Sequence, residues 1–163
     1  MTTTRHQGEA LALIRIALGV TILATWAQNL ADDLYTGDGL RGLLTWLATE
    51  APNGNGGSLG FVHSLLDSVV APQAGAFAFI QLVVELLFGL GLTLGLFTRL
   101  SSLLAAGFFL TLFLAYFGGE EWIWTYVILT AGAVAVFVGY AGRTWGLDGR
   151  LFSGRRSPAT LLW

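Results

Sequence analysis

The sequence predicts an all-α membrane protein: a four-transmembrane-helix antiparallel bundle with two short amphipathic helices in the first extracytoplasmic connection. Three observations carry that prediction. Of the 163 residues, 55% are hydrophobic and only 11% charged, with mean hydropathy +0.70; soluble domains carry about 25% charged residues. Four apolar runs lie at about 10–30, 74–97, 101–117 and 122–141. At ~1.5 Å rise per residue, ~20 residues cross the ~30 Å hydrocarbon layer. The arginines, finally, gather on one side of such a bundle. The chain then reads as one membrane domain over 1–163, with an outer loop at 31–72 and a cytoplasmic tail at 142–163.

The first run begins after a short polar start that contains Arg5. Arg5 has the position of a signal peptide's charged region, but the run is longer than a usual signal core and Arg15 interrupts it, so the span is expected to be retained. Arg15, Gly19, Ile22 and Trp26 share one helical face, and Thr21, Thr25, Gln28 and Asp32 share another. A polar stripe in a spanning helix is expected to face other helices rather than lipid. Arg15 lies about one turn inside the span's end, where a long side chain can snorkel to the headgroups.

The connection at 31–72 is not spanning material. Leu40, Leu43, Leu44 and Leu47 recur at helical spacing beside Arg41, Thr45 and Glu50, which predicts a short amphipathic helix. Pro52 and the Asn-Gly-Asn-Gly-Gly that follows it make a flexible break. Ser58 is placed to cap a second short helix with Val62, Leu65, Leu66 and Val69 on its apolar face. Pro72 suits the first turn of the span from Gln73.

That span holds the residue around which the chain is organised. Ala74 to Phe97 is apolar apart from Gln81, Thr93 and Glu85. A carboxylate near mid-membrane costs a few kcal/mol or more unless it is protonated, paired or beside a wet cavity. Gln81, four residues earlier, shares its face. Two readings of Glu85 stand side by side. It holds helices together through Gln81 or a nearby Thr, or it accepts a proton and hydrogen-bonds the polar head of a bound ligand. Arg15 offers a direct or bridged partner for it. Gly91 and Gly95 form a small-xxx-small pair for close helix approach, and Arg99 closes the span at an interface.

The third run carries Gly107, Thr111 and Tyr116 and no charge; Gly118 to Glu121 is a polar turn. Trp122, Trp124 and Tyr126 open the fourth run as an interfacial aromatic belt, and Gly132 and Gly139 give it a small-residue face. Trp26 is the aromatic set apart from the belts, because it shares the face of Arg15. With both termini cytoplasmic, Arg5, Arg99, Arg143, Arg150, Arg155 and Arg156 are all inside and only Arg41 is outside, as the positive-inside rule requires.

Composition also excludes chemistry. Formal charge is −2 with no basic block, which argues against nucleic acid. There is no cysteine, which removes disulfides, thiol redox chemistry and Fe–S ligation by this chain. His6 and His63 lie outside the spans and in no metal-ligand spacing, so neither a metal nor a haem is expected. No Ser-His-Asp set, P-loop or dinucleotide fingerprint is present.

The stretches LALIRIALGVTILATWAQNL, ELLFGLGLTLGLFTRLSSLLA and GYAGRTWGLDGRLF resemble the DoxX/DoxD family of small four-helix membrane proteins. DoxD is known as the small subunit of a thiosulfate:quinone oxidoreductase. The long outer segment resembles the DoxD-like branch. The resemblance places Arg15, Glu85, Arg99, Arg143 and Asp148 at the family's recurring polar positions. Asp148 then pairs with Arg143 or Arg150, or caps a helix in the tail. The resemblance implies a plasma-membrane subunit of a quinone-linked oxidoreductase, for thiosulfate or another sulfur compound. Glu85 and Arg15 would act on the quinone, and Trp26 and Gln81 would complete its site. Without cysteine the chain forms no thiosulfate adduct, so its part is to bind quinone or to anchor a catalytic partner subunit. A homo-oligomer is a further arrangement. The alternatives are a non-catalytic assembly protein and, third, a small transporter.

Overall fold

The computed structural model describes residues 2–49, 59–117 and 122–151. They form helices α1 (Thr2–Ala31), α2 (Gly37–Thr49), α3 (Gly60–Leu65), α4 (Ala74–Leu94), α5 (Thr98–Ala115), α6 (Trp124–Val138) and α7 (Leu147–Leu151). Among the described residues, three helical stretches are long and apolar enough to cross a membrane: His6–Ala31, Gly60–Leu94 and Thr98–Ala115. The apolar α6 is shorter, at 15 residues or about 22 Å.

The four long helices close a ring in which α1 packs on α4, α4 on α5, α5 on α6 and α6 on α1. The shared core is Leu18 and Ile22 from α1, Phe88 and Leu92 from α4, Phe109 from α5 and Val136 from α6, with small alanines between them. Leu13, Leu87, Leu103, Ile128 and Val138 lie on the outside, each more than half exposed. Such an apolar exterior suits a lipid bilayer and not water.

Helices α1 and α4 approach closely. A Cβ on Gly19 would stand 2.5 Å from the Thr93 backbone nitrogen, and one on Gly89 would stand 2.9 Å from Leu23. The expected pair Gly91 and Gly95 does something else: Gly91 faces Ser101 in the first turn of α5, and Gly95 ends α4 in the left-handed conformation at φ 68°. The Leu96 N–H then reaches back to the Gly91 carbonyl at 2.9 Å, closing the helix end. Only Gly95 to Phe97 separate α4 from α5, so the two helices must run antiparallel. Gly132 and Gly139 both face α1, against Leu18 and Leu11.

On α1, Arg15, Gly19 and Ile22 are buried with Trp26 half-buried beside them. The Thr21, Thr25, Gln28 and Asp32 stripe does not face other helices; all four residues are exposed. A threonine can satisfy its hydroxyl on the carbonyl four residues earlier, which removes the need for an interhelical partner. Thr93, Thr111 and Thr130 do this at 2.8, 2.9 and 2.7 Å.

The α1–α2 turn is tight. The Leu34 N–H bonds the Asn29 carbonyl at 2.9 Å, and Asp33 turns the chain with φ 57°. Thr36 caps α2, its hydroxyl accepting from the Gly39 N–H at 3.0 Å. Helix α2 lays Leu40 on Ala74 and Ala78 of α4. The second short helix of the connection is not a separate element. The chain from Gly60 continues through a π turn (Leu66–Val70) and a 3-10 turn (Ala71–Gln73) into α4. Pro72 has no N–H, so the ladder must lose a bond there, and the wide and tight turns absorb the loss without ending the helix. Leu65 and Val69 accordingly face outward, and Val62 is buried. The expected cap Ser58, the Pro52–Gly57 break, the Gly118–Glu121 turn and the tail arginines Arg155 and Arg156 lie outside the described residues.

Candidate functional site

Glu85 sits on the inner face of α4 with 1% of its surface exposed. Two partners hold its carboxyl group. One turn earlier, the Gln81 side-chain amide donates to Oε1 at 2.7 Å. From the α1–α2 turn, the Tyr35 hydroxyl donates to Oε2 at 2.7 Å. Tyr35 is itself buried, and Asn29 Nδ2 approaches its hydroxyl at 3.5 Å. The Tyr35 phenol stands above its ordinary value, first because it is buried and then because it hydrogen-bonds Glu85. Both Glu85 oxygens therefore have donors, as a buried acid requires.

Beyond Glu85 lies an apolar cavity of about 540 Å³ between α2, the 60–94 helix and α5. Glu85 and Gln81 form one polar wall, Thr111 and Tyr116 also line it, and Leu44, Val84, Phe88 and Phe108 are among its apolar residues. The volume and the mostly apolar lining with few polar groups are those of a small-molecule site. Ile80, Leu103 and Leu104 line the cavity and are themselves exposed on the outside of the bundle, so it lies at the lipid-facing surface between α4 and α5. A second, smaller space of about 310 Å³ adjoins it, sharing Leu44, Leu47 and Leu66, and is lined by Arg41, His63 and Asp67.

Of the four residues that the sequence put forward, Gln81 and Glu85 come together. Trp26 does not line the cavity. Its indole N–H donates to the Leu82 carbonyl at 3.0 Å, and its ring stands 6.5 Å from that of Tyr35, so it buttresses Tyr35 from behind. Arg15 is elsewhere and does not pair with Glu85. It is fully buried, neither snorkelling nor lining the cavity, and donates to the carbonyls of Leu92 at 2.8 Å, Thr93 at 3.5 Å and Trp145 at 3.3 Å. Leu92 is seven residues beyond Glu85, or about 10 Å along the helix, which a packed guanidinium does not span.

Arg15 belongs to a second polar cluster at the far end of the bundle. Asp148, 2% exposed, accepts from the backbone N–H groups of Phe97 at 2.8 Å and Thr98 at 2.9 Å, and its own N–H donates to the Gly95 carbonyl at 2.8 Å. Asp148 thus caps α5 from a distance in sequence, rather than pairing with Arg143 or Arg150. Arg99, in the first turn of α5, is buried under the rings of Phe137 and Tyr140, at 4.4 and 4.5 Å from their centres. Arg143 stacks on Tyr140 as well, at 4.7 Å. Among the described residues, no group of three His, Asp or Glu side chains lies close enough to hold a metal ion.

Sequence reasoning missed Tyr35. It lies fifty residues from Glu85 in a short polar turn, and only its being a lone aromatic between Asp33 and Thr36 marks it.

The DoxX family model matches residues 10–119, about two thirds of the chain. No curated protein and no solved structure matches it.

Proposed function

Because the chain belongs to the DoxX family, whose membrane proteins are associated with oxidoreductase-type functions, we propose that it is the membrane subunit of a quinone-linked oxidoreductase and that the cavity beside Glu85 holds the quinone. One observation carries the proposal: a fully buried acid forms a polar wall of an apolar cavity of about 540 Å³ that lies toward the lipid. A lipid-soluble head that gains or loses protons needs apolar walls and one proton-exchanging group within reach. A quinone, when bound, supplies the redox chemistry. Glu85 gives a proton to, or takes one from, the oxygen nearest to it, and the Gln81 amide fixes the carboxyl rotamer. Val84, Phe88 and Phe108 exclude water from that end. Arg15 holds the far end of the bundle together and takes no part at the cavity.

The proposal includes four spans, with α6 crossing through the Trp122–Trp124 belt, and both termini cytoplasmic on the Arg-rich side. The electron donor, for thiosulfate or another sulfur compound, belongs to a partner subunit. Organic extraction of the protein purified in mild detergent tests the reading. Near-stoichiometric quinone by absorbance and mass spectrometry, lost in Glu85→Gln, is the expected result. Quinone retained in full by Glu85→Gln refutes the role of Glu85, and a quinone-free protein refutes the site.

A second reading has its own support. The chain itself satisfies both Glu85 oxygens, tying the α1–α2 turn to α4. A non-catalytic assembly protein would need no more than that. It predicts a quinone-free protein that co-purifies with a partner polypeptide and that Glu85→Gln merely destabilises.

A further inference from the structure

We infer that Tyr35 is the proton conduit between Glu85 and the water at the α1–α2 end of the bundle. The inference rests on Glu85 being the proton-exchanging group proposed above, and it concerns the route rather than the ligand. A buried acid that gives up a proton at a cavity must recover it from water. On the cavity side the lining is mostly apolar and the opening lies toward the lipid, where water is scarce. Of its two hydrogen-bond partners, Gln81 offers an amide, whose N–H donates but does not readily release its proton. Tyr35 offers a hydroxyl, which donates one hydrogen and accepts on two lone pairs. It is therefore the partner through which a proton can hop: the hydroxyl proton passes to Glu85 Oε2 while the phenol oxygen takes another from behind.

The position behind it suits the task. Asn29 Nδ2 stands 3.5 Å from the phenol oxygen and occupies one lone pair, leaving the second for a water. Asn29 lies in the last turns of α1, and the neighbouring Asp32 and Asp33 are exposed. The left-handed backbone at Asp33 sharpens the turn that brings Tyr35 back over α4. Trp26 packs beside the ring, tilted by 34° with centroids 6.5 Å apart. The other charges that α2 brings to this end, Asp38 and Arg41, pair with each other at 3.0 Å at the surface. On α4 Glu85 is the sole ionisable side chain, and α1 has none between Arg15 and Asp32.

Infrared spectroscopy of the full chain in proteoliposomes tests the route without any turnover. The carboxyl C=O band that disappears in Glu85→Gln belongs to Glu85, and its shift on transfer to D2O times the exchange of its proton. Tyr35→Phe is expected to move the band, because one hydrogen bond is gone, and to slow the exchange by about 10²-fold, the lower range of what a positioned proton-transfer group contributes. Gln81→Leu, which also removes one hydrogen bond from the same carboxyl, is expected to move the band and leave the exchange fast. A merely structural Tyr35 would make the two variants behave alike. Equal exchange rates in wild type and folded Tyr35→Phe overturn the inference. So does the lack, at every pH tested, of any band lost in Glu85→Gln. Quinone extraction stands apart: an empty cavity with Tyr35-dependent exchange refutes the ligand and leaves the conduit.

Discussion

Removing the Asp148 carboxylate should unfasten the start of α5. The perturbation is Asp148→Ala, with Asp148→Asn as its conservative companion. Asp148 accepts two backbone hydrogen bonds, from Phe97 and Thr98. Hydrogen bonds to charged groups contribute about 1.5–3 kcal/mol each, and a lost helix cap costs about 0.5–2 kcal/mol. The two sites differ in their access to water. Thr98 is 0% exposed and its N–H would be left buried and unpaired, at about 2 kcal/mol. Phe97 is 43% exposed, so water can replace about half of its loss, leaving about 1 kcal/mol. The alanine variant should therefore be less stable by about 3 kcal/mol. The asparagine variant keeps one acceptor oxygen and loses the charge, and should fall about midway. The assay is reversible unfolding in mixed micelles of mild and denaturing detergent, followed by far-ultraviolet circular dichroism. A change below about 0.5 kcal/mol for Asp148→Ala, the size of an ordinary surface substitution, would refute the cap. An asparagine variant no better than alanine would refute the division between its two oxygens.

Two further outcomes are expected beside those for Glu85 and Tyr35 given above. Gly19→Ala places a methyl against the Thr93 backbone, where neither helix can yield cheaply, and should destabilise by about 1–3 kcal/mol in the same unfolding assay. An unchanged midpoint would mean that α1 and α4 are not in such close contact. Burial and the bond to Glu85 hold the Tyr35 phenol above its ordinary value of about 10. Its folded form thus binds the proton more tightly than its unfolded form. That stability is fully present below about pH 10 and is lost as pH rises above it. Wild-type unfolding free energy should fall more steeply than that of Tyr35→Phe above pH 10, and parallel curves would show that the phenol is not shielded.

The sequence by itself determined what depends on near neighbours. The apolar runs and their lengths marked the long helices, because burying backbone in lipid leaves little choice but helix. The four-residue spacing of Gln81 and Glu85 put one hydrogen bond on the acid before any tertiary contact was known. The Arg15, Gly19 and Ile22 face is the buried one. Helical periodicity, however, tells which residues share a face and not which way the face turns. The Thr21–Asp32 stripe has the same periodicity and turns outward. Only the tertiary structure decided that, through the packing of α1 between α4 and α6. It also decided the second bond to Glu85, which needs the Asp33 turn to fold Tyr35 back across fifty residues. In the same way it set Asp148 under α5 and placed Arg15 with Trp145 at the opposite end from Glu85. These partners are chosen by the relative rotation and depth of whole helices. That choice minimises void and unpaired polar groups over the entire bundle, so no short stretch of sequence encodes it.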